Sequence, residues 1–134
     1  MATKNKKTAK SPDFDFRTIG NIEDACKHQN FDPATIPDLS SLPGDMGKKF
    51  RAGILLGIFF MAINNGWKPD YTDSNQAKYF PWPWVSSSGF VFSASRYGCD
   101  RSRAGVGSRL CTDSSEKALW ALEKCEDLFK EWLL

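Results

Sequence analysis

The run AGILLGIFFMAI at residues 52–63 constrains this chain more than any other stretch, because none of its twelve side chains carries a charge or a hydroxyl. It is well short of the ~20 apolar residues that a helix needs to cross a bilayer. The rest of the chain must therefore cover it. Its length and its lack of strict alternation predict a helix rather than a strand. The wider stretch GDMGKKFRAGILLGIFFMAINNGW reads as the central buried helix, with Asn64, Asn65 and Gly66 as stop signals. Gly53 and Gly57 lie four apart, so one face lets another backbone come close, and close packing against a sheet is the expected use of that face.

Two further helices are expected. In NIEDACKHQNF, Asn21 is a good N-cap with Asp24 three residues on, and Ile22, Ala25 and Cys26 share a face. The connector that follows carries Pro33, Pro37 and Pro43, which forbid a long helix, while Ile36, Leu39 and Leu42 are expected to pin it to the core. The last helix is expected over residues 114–132, capped by Asp113 with Glu116 as reciprocal partner. Ala118, Leu122, Cys125, Leu128 or Phe129, and Trp132 recur there at helical spacing, a stripe that has to be buried on the sheet or on the central helix.

Between the helices, residues 79–85, 90–97 and 106–111 read as strands. Pro81 and Pro83 make the first an edge strand or partly irregular. Short links favour antiparallel neighbours. The predicted fold class is α+β: a three-stranded antiparallel β-meander packed against the central buried helix and a C-terminal amphipathic helix. Residues 1–17 are read as a flexible basic tail and residues 18–134 as a single domain, in keeping with a length of 134 residues and 41% hydrophobic content.

Catalytic chemistry finds little support. GVGSRLC, before the last helix, lacks the lysine of a phosphate loop, and Leu110 stands where the dinucleotide fingerprint needs its third glycine. Ser108 and Cys111 are nucleophiles without an identifiable base, since His28 is the one histidine and no G-x-S-x-G elbow occurs. The pairs Asp13/Asp15 and Asp70/Asp73 fall in polar loops, where carboxylates are normally solvated. The four cysteines are widely spaced, with no C-x-x-C, and no apolar leader follows the N-terminal lysines. Reduced thiols in a cytosolic setting are expected, with no metal, no cofactor and no catalytic residue.

The unusual stretch is YFPWPW. Tyr79, Phe80, Trp82 and Trp84 crowd one segment, with Trp67 and Tyr71 just before it. Rings of this kind cover a core, or form a platform on which bases, sugars or protein partners stack. The net charge of +2 names no partner by itself, but the first dozen residues hold Lys4, Lys6, Lys7 and Lys10 and no acid, and the later turns add Arg101, Arg103 and Arg109. The candidate partner-binding set is therefore Lys4, Lys6, Lys7, Lys10, Trp67, Tyr79, Trp82, Trp84, Arg101, Arg103 and Arg109.

NNGWKPDY, KYFPWPW, SSGFVF, VGSRLC and a closing CEDLFKEW occur in that order. The ordered set resembles a family of small uncharacterised phage and prophage proteins of gut Bacteroidetes, over residues 20–134. Trp67, Pro69, Asp70, Tyr79, Pro81, Trp82, Gly89, Phe90, Gly107, Ser108, Arg109 and Cys111 match its motifs. Departures are Pro83–Trp84, where the family has W-F, and Thr112, where an aromatic is usual. The resemblance implies origin more than activity, and transfers no catalytic residue. The leading expectation is a non-enzymatic module that contacts nucleic acid, in the host cytoplasm or in the virion and not at a membrane. A protein–protein or virion-associated structural part is the second, with a phage or host protein as partner. A small enzyme is the third.

Overall fold

The computed structural model describes residues 13–73, 75–81 and 110–134, together with the backbone of residues 83–86, 89–92 and 98–99. Four α-helices dominate these described residues: α1 (Ile22–His28), α2 (Met46–Asn64), α3 (Ser115–Lys124) and α4 (Glu126–Leu133). Four short strands complete them: β1 (Tyr79–Phe80), β2 (Pro83–Ser86), β3 (Gly89–Phe92) and β4 (Gly98–Cys99).

Local chemistry sets the ends of the first two helices. Asn21 Oδ1 accepts the Asp24 N–H at 2.8 Å, and Asp24 Oδ2 accepts the Gly20 N–H at 3.0 Å. Two otherwise orphaned donors at the start of α1 are thereby satisfied. α2 ends where Asn65 turns left-handed, at φ 43°, and its N–H returns to the Met61 and Ala62 carbonyls. Asparagine tolerates that conformation better than any bulkier residue.

The expected three-stranded meander is not what forms. β1 pairs with β4 (Tyr79 opposite Cys99) and β2 pairs with β3 (Trp84 opposite Val91), giving two separate two-stranded antiparallel ladders and a mostly helical structure. Pro81 stands between β1 and β2 and has no N–H to donate, so the chain changes partners there instead of continuing one ladder. Most of the expected third strand, residues 106–109, lies outside the described residues, as do residues 93–97 of the second; just past the third, Tyr79 and Thr112 form an isolated bridge, with N–H···O distances of 2.9 and 3.0 Å. Residues 100–109 lie outside the described residues.

The core is accordingly helix on helix. Leu56, Phe59, Phe60 and Ile63 of α2 meet Ala25 of α1 and Ala121, Leu122, Cys125 and Phe129 of the C-terminal pair, all buried. Phe60 and Phe129 meet edge to face at 6.5 Å.

The last helix differs from expectation in two ways. Its N-cap is Ser114, whose Oγ accepts the Lys117 N–H at 3.2 Å, while Asp113 pairs with the Lys117 ammonium at 2.9 Å. It also breaks at Cys125 (φ −118°, ψ 29°), far from helical values. The hydrogen bonds Cys125 N–H to Ala121 O and Phe129 N–H to Cys125 O run through the break, so the two segments meet at a bend.

Residues before α1 strap the helices together. Phe14 lies against His28 with ring centroids 5.3 Å apart. Phe16 stands edge-on to Trp120 at 5.9 Å, and the Trp120 indole N–H donates to the Ile19 carbonyl at 2.8 Å. No helix among the described residues is long and apolar enough to cross a membrane.

Candidate functional site

α2 is apolar on more of its circumference than the core uses. Beyond the residues that face α1 and α4, Met46, Phe50, Ile54 and Met61 remain 39, 46, 39 and 56% exposed. Their spacing puts all four on one side of the helix, as a stripe along its outward face. Gly57 lies in the same stripe, and a Cβ built on it meets nothing within 4 Å. Gly53, one turn earlier, is covered: a Cβ there would stand 2.5 Å from the Trp132 ring. The glycine pair expected to pack on a sheet thus serves two surfaces, one closed by a tryptophan of α4 and one open.

The same helix is basic. α2 contains no acidic residue, and its first turn carries cations where the helix dipole favours anions. Lys49 is compensated by Asp45 at 3.6 Å and by the Glu131 carbonyl at 3.3 Å. Lys48 and Arg51 are exposed and have no acidic partner among the described residues. An apolar stripe left in water, on a helix whose first turn carries cations at the wrong end of its dipole, breaks two local rules. Such departures concentrate at functional surfaces.

A buried polar cluster lies past the C-terminus of α2. Lys78 is fully buried; its ammonium donates to the Asp73 and Gln76 carbonyls at 3.2 and 3.0 Å and lies over the Tyr71 ring. Tyr71 Oη is 3.6 Å from Cys111 Sγ, and Asn64 Nδ2 donates to the Cys111 carbonyl at 2.9 Å. Burial pushes the Cys111 thiol up, and the Tyr71 hydrogen bond and the Lys78 charge offset that only in part. This cluster braces the loop at residues 70–76 from inside and keeps its thiol protonated.

The sequence candidates distribute as follows. Trp67 and Tyr79 are half-buried: the Trp67 N–H donates to the Asn64 carbonyl, and Tyr79 pairs with Thr112. Both border the Lys78 cluster. Trp84 is placed by its backbone in β2, opposite Val91. Lys4, Lys6, Lys7, Lys10, Trp82, Arg101, Arg103 and Arg109 lie outside the described residues, as does Ser108. His28 is exposed, its Nε2 3.0 Å from Asn65 Oδ1 and its Nδ1 2.9 Å from Gln29 Nε2. Asp15 caps a turn at the Arg17 N–H and Asp70 does the same for Thr72; the Thr72 hydrogen bonds hold the Asp70 carboxyl below its ordinary range. No group of three or more His, Cys, Asp or Glu side chains among the described residues is arranged to hold a metal ion.

An open groove of about 490 Å³ beside α1 is lined by Ile22, Cys26, Phe31 and Pro33, with Glu23 and Asp32 alongside. Burial, then the Glu23 and Asp32 charges, push the Cys26 thiol up, away from nucleophilic thiolate.

The outward face of α2 was missed by motif reasoning. Its signal was present in the four-residue spacing of Met46, Phe50 and Ile54, continued at Met61 in a helix without a polar side between residues 52 and 63. No family model, curated protein or solved structure matches this chain.

Proposed function

We propose that this protein is a non-enzymatic interaction module whose working surface is the outward face of α2. One observation carries the reading: Met46, Phe50, Ile54 and Met61 stand exposed in line on a helix whose other side already supplies the core. Together they uncover on the order of 400 Å² of mostly apolar surface, within the about 300–600 Å² of the largest patch on a typical monomer, a patch that is often functional. The ordered motifs of the chain support placing it among the phage and prophage proteins it resembles, at work in the host cell or the virion.

A photo-crosslinking residue at position 61 tests this, with Glu123, exposed on α3, as the control position. Protein adducts from position 61 and none from position 123 support the reading. Absence of any adduct from position 61, in cells and with the concentrated pure protein, overturns it.

Lys48 and Arg51, exposed on α2 with no acidic partner among the described residues, favour a second reading in which this helix meets nucleic acid together with the lysine tail. Fluorescence polarisation with single- and double-stranded DNA at two salt concentrations separates the two. Phosphate contacts make affinity fall steeply with salt, and no binding at low salt removes the nucleic-acid reading.

A further inference from the structure

We infer that the end of α2 is a covalent modification site under conformational control: Asn65–Gly66 converts to aspartate or isoaspartate when the α2 cap opens, and His28 is the latch that holds the cap shut. The inference is independent of the interaction reading above.

The chemistry starts from the sequence. Asn65 is the one asparagine of the chain that is followed by glycine. Such a pair reacts with itself readily, because glycine has no side chain to shield its nitrogen or restrict its approach. The Gly66 nitrogen attacks Asn65 Cγ, the bond from Cγ to the side-chain nitrogen breaks, and the Gly66 amide proton leaves with that nitrogen as ammonia. Water then opens the succinimide at either carbonyl, giving aspartate or isoaspartate. Gly66 is exposed, and its N–H has no hydrogen-bond acceptor among the described residues. Neither burial nor a backbone bond withholds that nitrogen.

Geometry withholds it. Ring closure needs the Gly66 nitrogen on the same side of the Asn65 Cα–C bond as Cβ. At φ 43° and ψ 53°, the left-handed turn that ends α2, that nitrogen stands trans to Cβ and cannot reach Cγ. The reaction therefore waits on rotation about Cα–C. That rotation swings the following chain away and breaks the bond of 2.9 Å from the Trp67 N–H to the Asn64 carbonyl.

His28 resists the rotation from the side chain. Its Nε2–H donates to Asn65 Oδ1 at 3.0 Å, and Gln29 Nε2 donates to its Nδ1 at 2.9 Å, so one tautomer serves both bonds. Phe14 lies against the same imidazole. The end of α1 is thus tied to the cap of α2. The His28 bond also polarises Cγ, but that polarisation is idle while the attacking nitrogen is trans.

Conversion is one-way. A carboxylate at position 65 stands at the negative end of the α2 dipole. Isoaspartate adds a methylene to the backbone, and the left-handed cap no longer re-forms. A transient opening between α1 and α2 becomes a permanent mark.

The full chain is held in mildly alkaline buffer, and conversion at position 65 is followed by digestion and mass spectrometry. The wild type is compared, native and in urea, with native His28→Ala, His28→Gln and Gly53→Ala, with circular dichroism as the folding control. His28 is exposed and alanine is a better helix former, so the fold is kept. His28→Ala is expected to convert faster by about two- to tenfold, the rise in open population from losing one hydrogen bond. His28→Gln, which can place a donor at similar reach, is expected to stay near the wild type. Gly53→Ala, which loosens the distant Trp132 contact, is expected to accelerate less than His28→Ala. A native wild type that converts as fast as the chain in urea overturns the inference. Slower conversion in His28→Ala overturns it too, since His28 then acts by polarising Cγ. An unchanged rate in His28→Ala, or equal acceleration in His28→Gln or Gly53→Ala, removes the latch.

Discussion

Trp132 of α4 lies across Gly53 of α2, so near that a Cβ on the glycine would stand 2.5 Å from its ring. That contact fixes the end of the chain against the middle of the central helix, and Phe50 leans on the same indole at 6.5 Å. Gly53→Ala forces the ring out and is expected to cost about 1–3 kcal/mol, as overpacking does. Gly57→Ala meets open space and is expected to stabilise by about 1 kcal/mol through helix propensity. Urea denaturation of the two variants checks for these opposite signs at glycines one turn apart.

Trp120 joins the segment before α1 to α3 through its indole N–H and the Ile19 carbonyl, and Ile19 is buried. Trp120→Phe keeps a ring against Phe16 but leaves that carbonyl without its donor. A loss of about 1–3 kcal/mol is expected, with Trp120→Ala costing more. Thermal unfolding of the pair measures both.

Lys78 holds the loop at residues 70–76 by donating to two of its carbonyls. Lys78→Met preserves the stem and removes the ammonium. Cleavage within that loop is expected to accelerate in limited proteolysis, with a loss of about 1–2 kcal/mol for the two hydrogen bonds. Unchanged cleavage would assign the bracing to the loop's own contacts, such as the Gln76 Oε1 to Asp70 N–H bond at 2.6 Å.

Burial pushes the Cys125 thiol from 9.0 up to about 12. The folded state therefore holds this proton more tightly than the unfolded chain. Its contribution to stability is intact below pH 9 and is lost as pH rises from there toward 12, because the unfolded thiol ionises first. Urea midpoints between pH 8 and pH 11 should fall less steeply for Cys125→Ala than for the wild type. Peptide mapping after iodoacetamide treatment of the native protein should find Cys125 labelled more slowly than Cys26, which borders the open groove beside α1.

Legibility in this chain followed the range of the interaction. Asn21 as the cap of α1 and Asn65–Gly66 as the stop of α2 could be read directly, because caps are made within one turn of the residues that form them. The C-terminal stripe could be read too, but not its bend at Cys125. The bent segments still share one apolar face, and the bend follows from what that face meets, Phe60 under Phe129 and Gly53 under Trp132. The strands misled. Alternation at residues 79–85 and 90–97 shows that a segment can pair and is silent on its partner, so a local pattern was extended into a meander that Pro81 interrupts.

The candidate site divides in the same way. YFPWPW drew attention by composition, yet its described members are occupied in the fold: Phe80 is buried and Tyr79 is bridged to Thr112. Among the described residues, an apolar stripe is left free on α2, whose apolar character was plain from the start. By itself the amino-acid order determined that residues 52–63 form a helix, where that helix stops, and that its apolar sides need cover. Helix formation and capping depend on neighbours along the chain. Only the tertiary structure decided which side received that cover. Burial is a property of what arrives from elsewhere: α1, α3 and α4 close over Leu56, Phe59, Phe60 and Ile63 and leave Met46, Phe50, Ile54, Gly57 and Met61 facing outward.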